Sequence, residues 1–268
     1  MMLKRWFFAL FAFLLFVAPG MAQDPVLLRV LTYNTHHGEG LDGKLDLPRI
    51  ASVIGAVTPS LVALQEIDVN TSRSGKVDQC VKYVELTGLK GFYAPAIEYD
   101  GGLYGIMSLC RLRIQKEQYH ALPFSPGHER RMVIEQLAAI PQGSDQSATI
   151  RFFATHLDHT GDHTDRVAAA KVINEIALKD PEMPSLLAGD LNAVPGSPAM
   201  VEFGKVWKAA GEDQEYFSFP ADKPNIKIDY VLYRPADRWR VVSVEVLDEK
   251  VASDHRPVLV VMELLPEK

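Results

Sequence analysis

The chain has 268 residues, 47% hydrophobic, 9% aromatic and 23% charged, an ordinary globular composition that excludes disorder, collagen and a coiled coil. With 28 basic against 34 acidic residues the net charge is −6, so no broad basic face exists to grip nucleic acid by phosphate neutralisation, which weakens a nuclease reading without removing it. Two cysteines, Cys80 and Cys110, make no disulfide framework and lack metal-ligand spacing.

The first 22 residues read as a secretory signal peptide. Lys4 and Arg5 precede an apolar run from Trp6 to Ala18, and Gly20 and Ala22 supply small residues at −3 and −1 of a cleavage site. That run falls short of the ~20 residues needed to span a bilayer. Loss of Lys4 and Arg5 takes the net charge from −6 to −8. One catalytic-sized domain, 23–268, is then expected, monomeric, secreted or periplasmic, with no stable membrane insertion.

The mature chain opens with a strand at about 26–34, then a helix near 46–57 and a short apolar strand at 61–65, a strand-helix-strand unit. A helix at 77–88 leads to strands near 91–97, 104–111, 115–121, 131–140 and 149–155. Strands in series without helices predict antiparallel pairing. Over 162–178, Val167, Ala170, Ile173 and Ala177 share one face, which predicts an amphipathic helix covering a sheet. A strand at 184–189, a helix at 197–210 and strands at 227–233, 240–247 and 257–264 complete the chain. The fold class is mixed α/β, with two sheets packed face to face and helices outside.

Six polar clusters each follow an apolar strand in this reading: Asn34-Thr35-His36, Gln65-Glu66-Ile67-Asp68, Thr155-His156-Leu157-Asp158, Gly189-Asp190-Leu191-Asn192, Ile228-Asp229-Tyr230 and Ser253-Asp254-His255. Ligand sites of α/β sheets are assembled where strands end. In this order the clusters resemble those of the endonuclease/exonuclease/phosphatase superfamily, from Asn34 to His255. The resemblance implies a four-layered α/β sandwich and divalent-metal-dependent hydrolysis of phosphoester bonds, with Mg²⁺ or alternatively Mn²⁺.

Carried over residue by residue, the resemblance makes Glu66 the metal carboxylate with Asn34 beside it, an oxygen donor set suited to a hard ion. Asp190 would orient or deprotonate the attacking water and Asn192 would steady the nucleophile or phosphoryl group, as phosphoryl transfer mainly needs positioning and charge stabilisation. Asp254 would join the metal and water network. His255 would act with Asp229, either as base or as a cation on the phosphate. His156 would be a phosphate hydrogen-bond donor or the acid for the leaving oxygen.

The chain departs from the pattern in places. Leu191 replaces the usual aromatic of the Gly-Asp-x-Asn signature, and Ile106 a frequent asparagine in the strand Tyr104 to Arg111. His36 stands where abasic-site nucleases often carry a second carboxylate, so it is a candidate substrate contact, as is Arg73 in the polar loop after Glu66. Arg131, in Glu129-Arg130-Arg131, would pair with a buried carboxylate or with a phosphate. The run His156, Asp158, His159, Asp162, His163 mimics zinc spacing, but loop and cap roles are favoured. Cys80 is placed on a helix and Cys110 on a strand, and an oxidising compartment would permit their pairing. Phe124 and Trp239 are isolated aromatics that do not build a membrane-docking tip. The substrate expected is a small or lipid-derived phosphate. A secreted nuclease is the alternative, and a catalytically silent binding module on the same fold the third reading.

Overall fold

The computed structural model describes residues 26–142 and 146–267, so the expected signal peptide lies outside the described residues. In chain order the elements are β1 (Leu27–Asn34), α1 (Leu47–Ala56), β2 (Leu61–Val69), α2 (Gln79–Thr87), β3 (Lys90–Tyr99), β4 (Gly102–Cys110), β5 (Arg113–Ala121), β6 (Met132–Gln142), β7 (Gln146–His156), α3 (Thr164–Leu178), β8 (Ser185–Asp190), α4 (Pro198–Phe203), β9 (Lys208–Ala209), β10 (Asp229–Arg234), β11 (Trp239–Val246) and β12 (Val258–Leu264). They form two six-stranded sheets, β11-β12-β1-β2-β4-β3 and β5-β6-β7-β8-β10-β9. The series β3 to β7 pairs antiparallel within each sheet, as the absence of helices there predicts.

Strand alternation sorts the side chains into layers. In β1 and β2, Leu28, Val30, Leu61 and Ala63 point toward the other sheet and meet Ala154, Ala188 and Val231 in a common core. Leu31, Tyr33, Val62 and Leu64 point the opposite way, under Ile50 and Ile54 of α1 and Tyr83 of α2. On the far side of the second sheet, Phe153, Leu187 and Leu232 are covered by Ala170, Ile173 and Ala177 of α3 and by Phe203 of α4. The result is helices, sheet, sheet, helices, the expected four layers. Local chemistry sets the helix starts: the Asp46 carboxylate accepts from Arg49 N at 3.0 Å and Asp78 from Val81 N at 3.1 Å, satisfying N-terminal amides.

One expected helix is shorter than its reading. The helix placed at 197–210 ends at Phe203, and the chain turns to give β9, which pairs with β10. The physical reason is a competing partner: Lys208 and Ala209 pair with the open edge at Tyr233 and Leu232, while Trp207 packs edge-on against Phe153 at 5.8 Å and donates to Asn174 Oδ1. Among the described residues no helix is long and apolar enough to cross a membrane.

Candidate active site

Register alone brings three of the expected residues side by side. His156 is aligned with Asp190 in the parallel pair β7–β8, and Asp229 with Asp190 in the antiparallel pair β8–β10. Each stands two residues from a core alanine or valine on the inter-sheet face, Ala154, Ala188 and Val231. All three therefore point between the sheets, where the apolar core ends. From the first sheet Asn34 has the same parity as Leu28 and Val30, and its Nδ2 donates to Asp190 Oδ2 across the gap at 3.1 Å.

Glu66 reaches this point by a backbone irregularity. Pairing of β2 with β4 shifts register between Gln65 and Ile67, and Glu66 has φ 61°, left-handed, in the bulge. The extra residue returns Ile67 to the buried helix-covered face while Glu66 is re-aimed at Asn34, whose Nδ2 donates to its Oε1 at 3.1 Å. Ser253 Oγ closes the same corner by donating to the Asn34 carbonyl at 2.7 Å.

His255 lies between two carboxylates. Its Nδ1 bonds Asp229 Oδ2 at 2.9 Å and its Nε2 is 3.7 Å from Asp190 Oδ2. Ser218 Oγ donates to Asp229 Oδ2 at 2.6 Å, and the Phe219 ring lies 4.7 Å from the imidazole. Burial opposes the charge on His255, but the carboxylates of Asp229 and Asp190 outweigh it and raise its pKa to about 10, so the ring is an imidazolium at neutral pH. Burial, with the neighbouring Asp229 charge, pushes Asp190 above the usual carboxylate range. Such a carboxylate holds a proton better than an ordinary one, which suits a base toward water.

His156 faces a different neighbour. Its Nδ1 is 3.0 Å from Arg131 Nη1 and its Nε2 is 3.5 Å from Asp190 Oδ2. Burial and then the Arg131 cation hold its pKa well below the usual histidine range. Arg131 also donates to Glu129 Oε2 at 2.6 Å, a partly exposed carboxylate rather than the buried one expected.

The other candidates are placed as follows. Asn192 has φ 47°, its backbone N–H bonds Asp190 Oδ1 at 2.9 Å and its Nδ2 donates to Leu157 O at 3.0 Å, so it braces both Asp190 and the segment carrying His156. Asp254 is half-buried beside His255, and its Oδ1 accepts from Ser253 Oγ at 3.3 Å. His36 donates its backbone N–H to Asn34 Oδ1 at 3.1 Å, and its ring Nδ1 is bonded to Glu39 O. Arg73 grips buried Asp68 with two bonds of 2.7 and 2.8 Å and lies over the Tyr99 and Tyr104 rings, so this guanidinium is already committed.

In the zinc-like run, Asp158 accepts from Thr160 N at 3.0 Å and Asp162 from Thr164 N at 2.9 Å, the turn and cap roles favoured above. Asp158 does approach His128 and Asp165, but Arg166 lies 3.7 Å from its carboxylate, and Asp165 is occupied by Ser125 and His128. Cys80 and Cys110 are on α2 and β4 and both are free thiols. Trp239 is buried, leaving Phe124 as the exposed member of that aromatic pair.

Two supporting residues escaped sequence reasoning. Ser218 lies in an aperiodic polar stretch with no signal to separate it from a loop serine. Tyr104, whose buried hydroxyl feels the charges of Glu66 and Arg131, opens the strand compared with the family pattern, so a signal was present there.

The oxygen donors fit a hard divalent ion. The amide of Asn34 donates to two carboxylates, Glu66 and Asp190, so this point attracts positive charge. Asp190, Asp229 and His255 also converge within 4.8 Å, but there the imidazolium already supplies the cation.

A four-layered sandwich with acidic and histidine side chains gathered at one end of its inter-sheet core defines the class of metal-dependent phosphoester hydrolases. The chain belongs to the Endonuclease/Exonuclease/phosphatase family, whose model matches residues 31–255, and it is an enzyme of that class. Solved structures share the fold. An endonuclease/exonuclease/phosphatase from Beutenbergia cavernae superposes with a TM-score of 0.72 at 23% identity, over 89% of this chain and 72% of that one. A mannosyl-6-phosphatase from Bacteroides thetaiotaomicron gives 0.71 at 18% identity over 89% and 100%. The human Nocturnin catalytic domain, with a bound sulfate anion, gives 0.68 at 16% identity over 91% and 97%.

Proposed function

We propose that the protein is a secreted or periplasmic Mg²⁺-dependent hydrolase of a small or lipid-derived phosphoester. The observation that carries this reading is one continuous chain of contacts, Glu66–Asn34–Asp190–His255–Asp229, with His156 on its other side. Glu66 and Asn34, with Asp254 nearby, would hold the ion, which when bound supplies positive charge to a phosphoryl oxygen. Asp190, with its raised proton affinity, takes the proton of the attacking water, and Asn192 steadies the Asp190 loop. The His255 imidazolium, held by Asp229, faces the negative charge that develops on phosphorus, and His156 donates a hydrogen bond from Nε2.

A small substrate is favoured over nucleic acid because three arginines near the cleft are engaged, Arg73 with Asp68, Arg131 with Glu129 and Arg256 with Asp248, and exposed Arg130, over the Phe124 ring, does not by itself make a basic rim. Binding a polyanion relies on cationic side chains that neutralise its phosphates and so release its condensed counterions. The test is hydrolysis by the mature protein, with Mg²⁺ or Mn²⁺, of bis-p-nitrophenyl phosphate, phosphomonoesters, choline phospholipids and plasmid DNA. Turnover of small or lipid phosphoesters, abolished by EDTA and lowered on the order of 10²-fold or more by Glu66→Ala, is the expected result. Cleavage of DNA alone would overturn the substrate reading, and full activity in EDTA the metal reading.

A further inference from the structure

Arg131 was expected to meet a carboxylate or a phosphate, and the structure adds a partner that neither alternative contains. Its side chain is 6% exposed and its guanidinium divides three ways: Nη2 to Glu129 Oε2 at 2.6 Å and to His159 Nδ1 at 3.0 Å, and Nη1 to His156 Nδ1 at 3.0 Å. Guanidinium is a donor only and stays charged, so it has no lone pair to offer a ring N–H. At 3.0 Å, a proton on His156 Nδ1 would put two N–H groups head to head. The nitrogen facing Arg131 must therefore carry its lone pair. A neutral imidazole has one remaining place for its proton, Nε2, the nitrogen turned to Asp190 and the cleft.

We infer that Arg131 is a positioning residue that fixes His156 as a neutral imidazole with its proton on Nε2. Three assignments follow. His156 is a hydrogen-bond donor into the cleft, it does not act as a base there because its lone pair is spent on Arg131, and it does not contribute a positive charge. The two histidines of the site thus take opposite states. His255, bonded through Nδ1 to Asp229, is the cation, while His156, bonded through Nδ1 to an arginine, is the neutral donor.

The groups facing His156 act in both directions. Asp190 favours its protonation, while Arg131, His159 and the His255 imidazolium oppose it, and burial is the largest opposing influence. Glu129 balances the Arg131 charge from the rim, which lets a guanidinium stand this close to an imidazole. The inference needs the hydrolytic reading only for its catalytic meaning, because the ring nitrogens are observable without substrate or metal.

Long-range ¹H–¹⁵N correlation on the ¹⁵N-histidine-labelled mature protein tests it. The expected result is a His156 ring with an unprotonated Nδ1 and a protonated Nε2, unchanged from pH 5.5 to 8.5. In Arg131→Met the Nδ1 lone pair is released, so the ring should titrate closer to the ordinary value of about 6.5, and the pH profile of kcat should gain an ionisation there. Arg131→Lys, which keeps a cationic donor, should retain the wild-type tautomer. Three outcomes would overturn the assignment: a proton on Nδ1 in the wild type, a doubly protonated ring at pH 7, or the same titration in wild type and Arg131→Met. Addition of inorganic phosphate should leave the tautomer unchanged; a switch to the Nδ1–H form would mean that Arg131 turns to the anion instead. Should Arg131→Met fail to fold, the wild-type spectrum still decides.

Discussion

Asp229 shows how much one side chain determines. Its Oδ2 accepts from both Ser218 and His255, while Oδ1 is buried with no hydrogen-bond partner, so the carboxylate spends its charge on the imidazolium. Asp229→Asn should bring His255 down from about 10 toward 6.5, lower kcat on the order of 10²-fold and move the basic limb of the kcat profile to lower pH. The same shift has a stability consequence. Because the folded pKa of His255 lies above its unfolded value, its contribution is complete below about pH 6.5 and is lost as pH rises through about 10. The melting temperature of metal-free wild type should fall from pH 7 to 10, and that of Asp229→Asn should fall less. An unchanged slope in the variant would place the dependence elsewhere.

At the scale of the element, the site depends on close approach of backbones. Gly189 immediately precedes Asp190, and a Cβ there would lie 2.2 Å from the Thr155 carbonyl of β7. Gly189→Ala must spread β7 from β8, at about 1–3 kcal/mol, which for a chain of this size lowers the melting temperature by roughly 2–12 °C. It also moves Asp190 relative to His156, so kcat should fall more than stability alone explains, measurable well below the melting transition. Much of this level is legible in the residues. Apolar runs ending in His156 and Asp190 and one beginning at Asp229 announce strands with polar ends, and the alternation of Leu28, Val30, Leu31 and Tyr33 announces a strand buried on both faces. The bulge at Glu66 is not legible, because nothing in Gln65-Glu66-Ile67 marks a left-handed glutamate; it is imposed by Ile67 returning to the helix-covered core. Nor is the end of α4 at Phe203, since the open edge of β10 that captures Lys208 and Ala209 is a tertiary partner. The contact between Arg131 and His156 arises from neighbouring strands and has no local signature.

Across the whole molecule, acidic groups gather where a cation is to bind, so ion and fold should stabilise each other. At 100 times its dissociation constant, one divalent ion would add about 2.7 kcal/mol to folding, a rise in melting temperature on the order of 5–10 °C. Glu66→Ala should abolish that rise without abolishing cooperative melting; a full rise in the variant would place the ion elsewhere. The acidity read at the outset matters here in a local form, because Arg73, Arg131 and Arg256 near the cleft are each paired with a carboxylate of the same chain. The topology has a further consequence in time. The first strand, β1, lies between β2 and the last strand, β12, and Ser253 holds the Asn34 carbonyl across 219 residues of sequence. A growing chain therefore carries Glu66, His156 and Asp190 long before it carries the residues that complete their surroundings. Hydrolytic competence therefore waits on the segment that carries Asp229, Ser253 and His255, and a chain folded only as far as Asp190 holds a half-built, inert site.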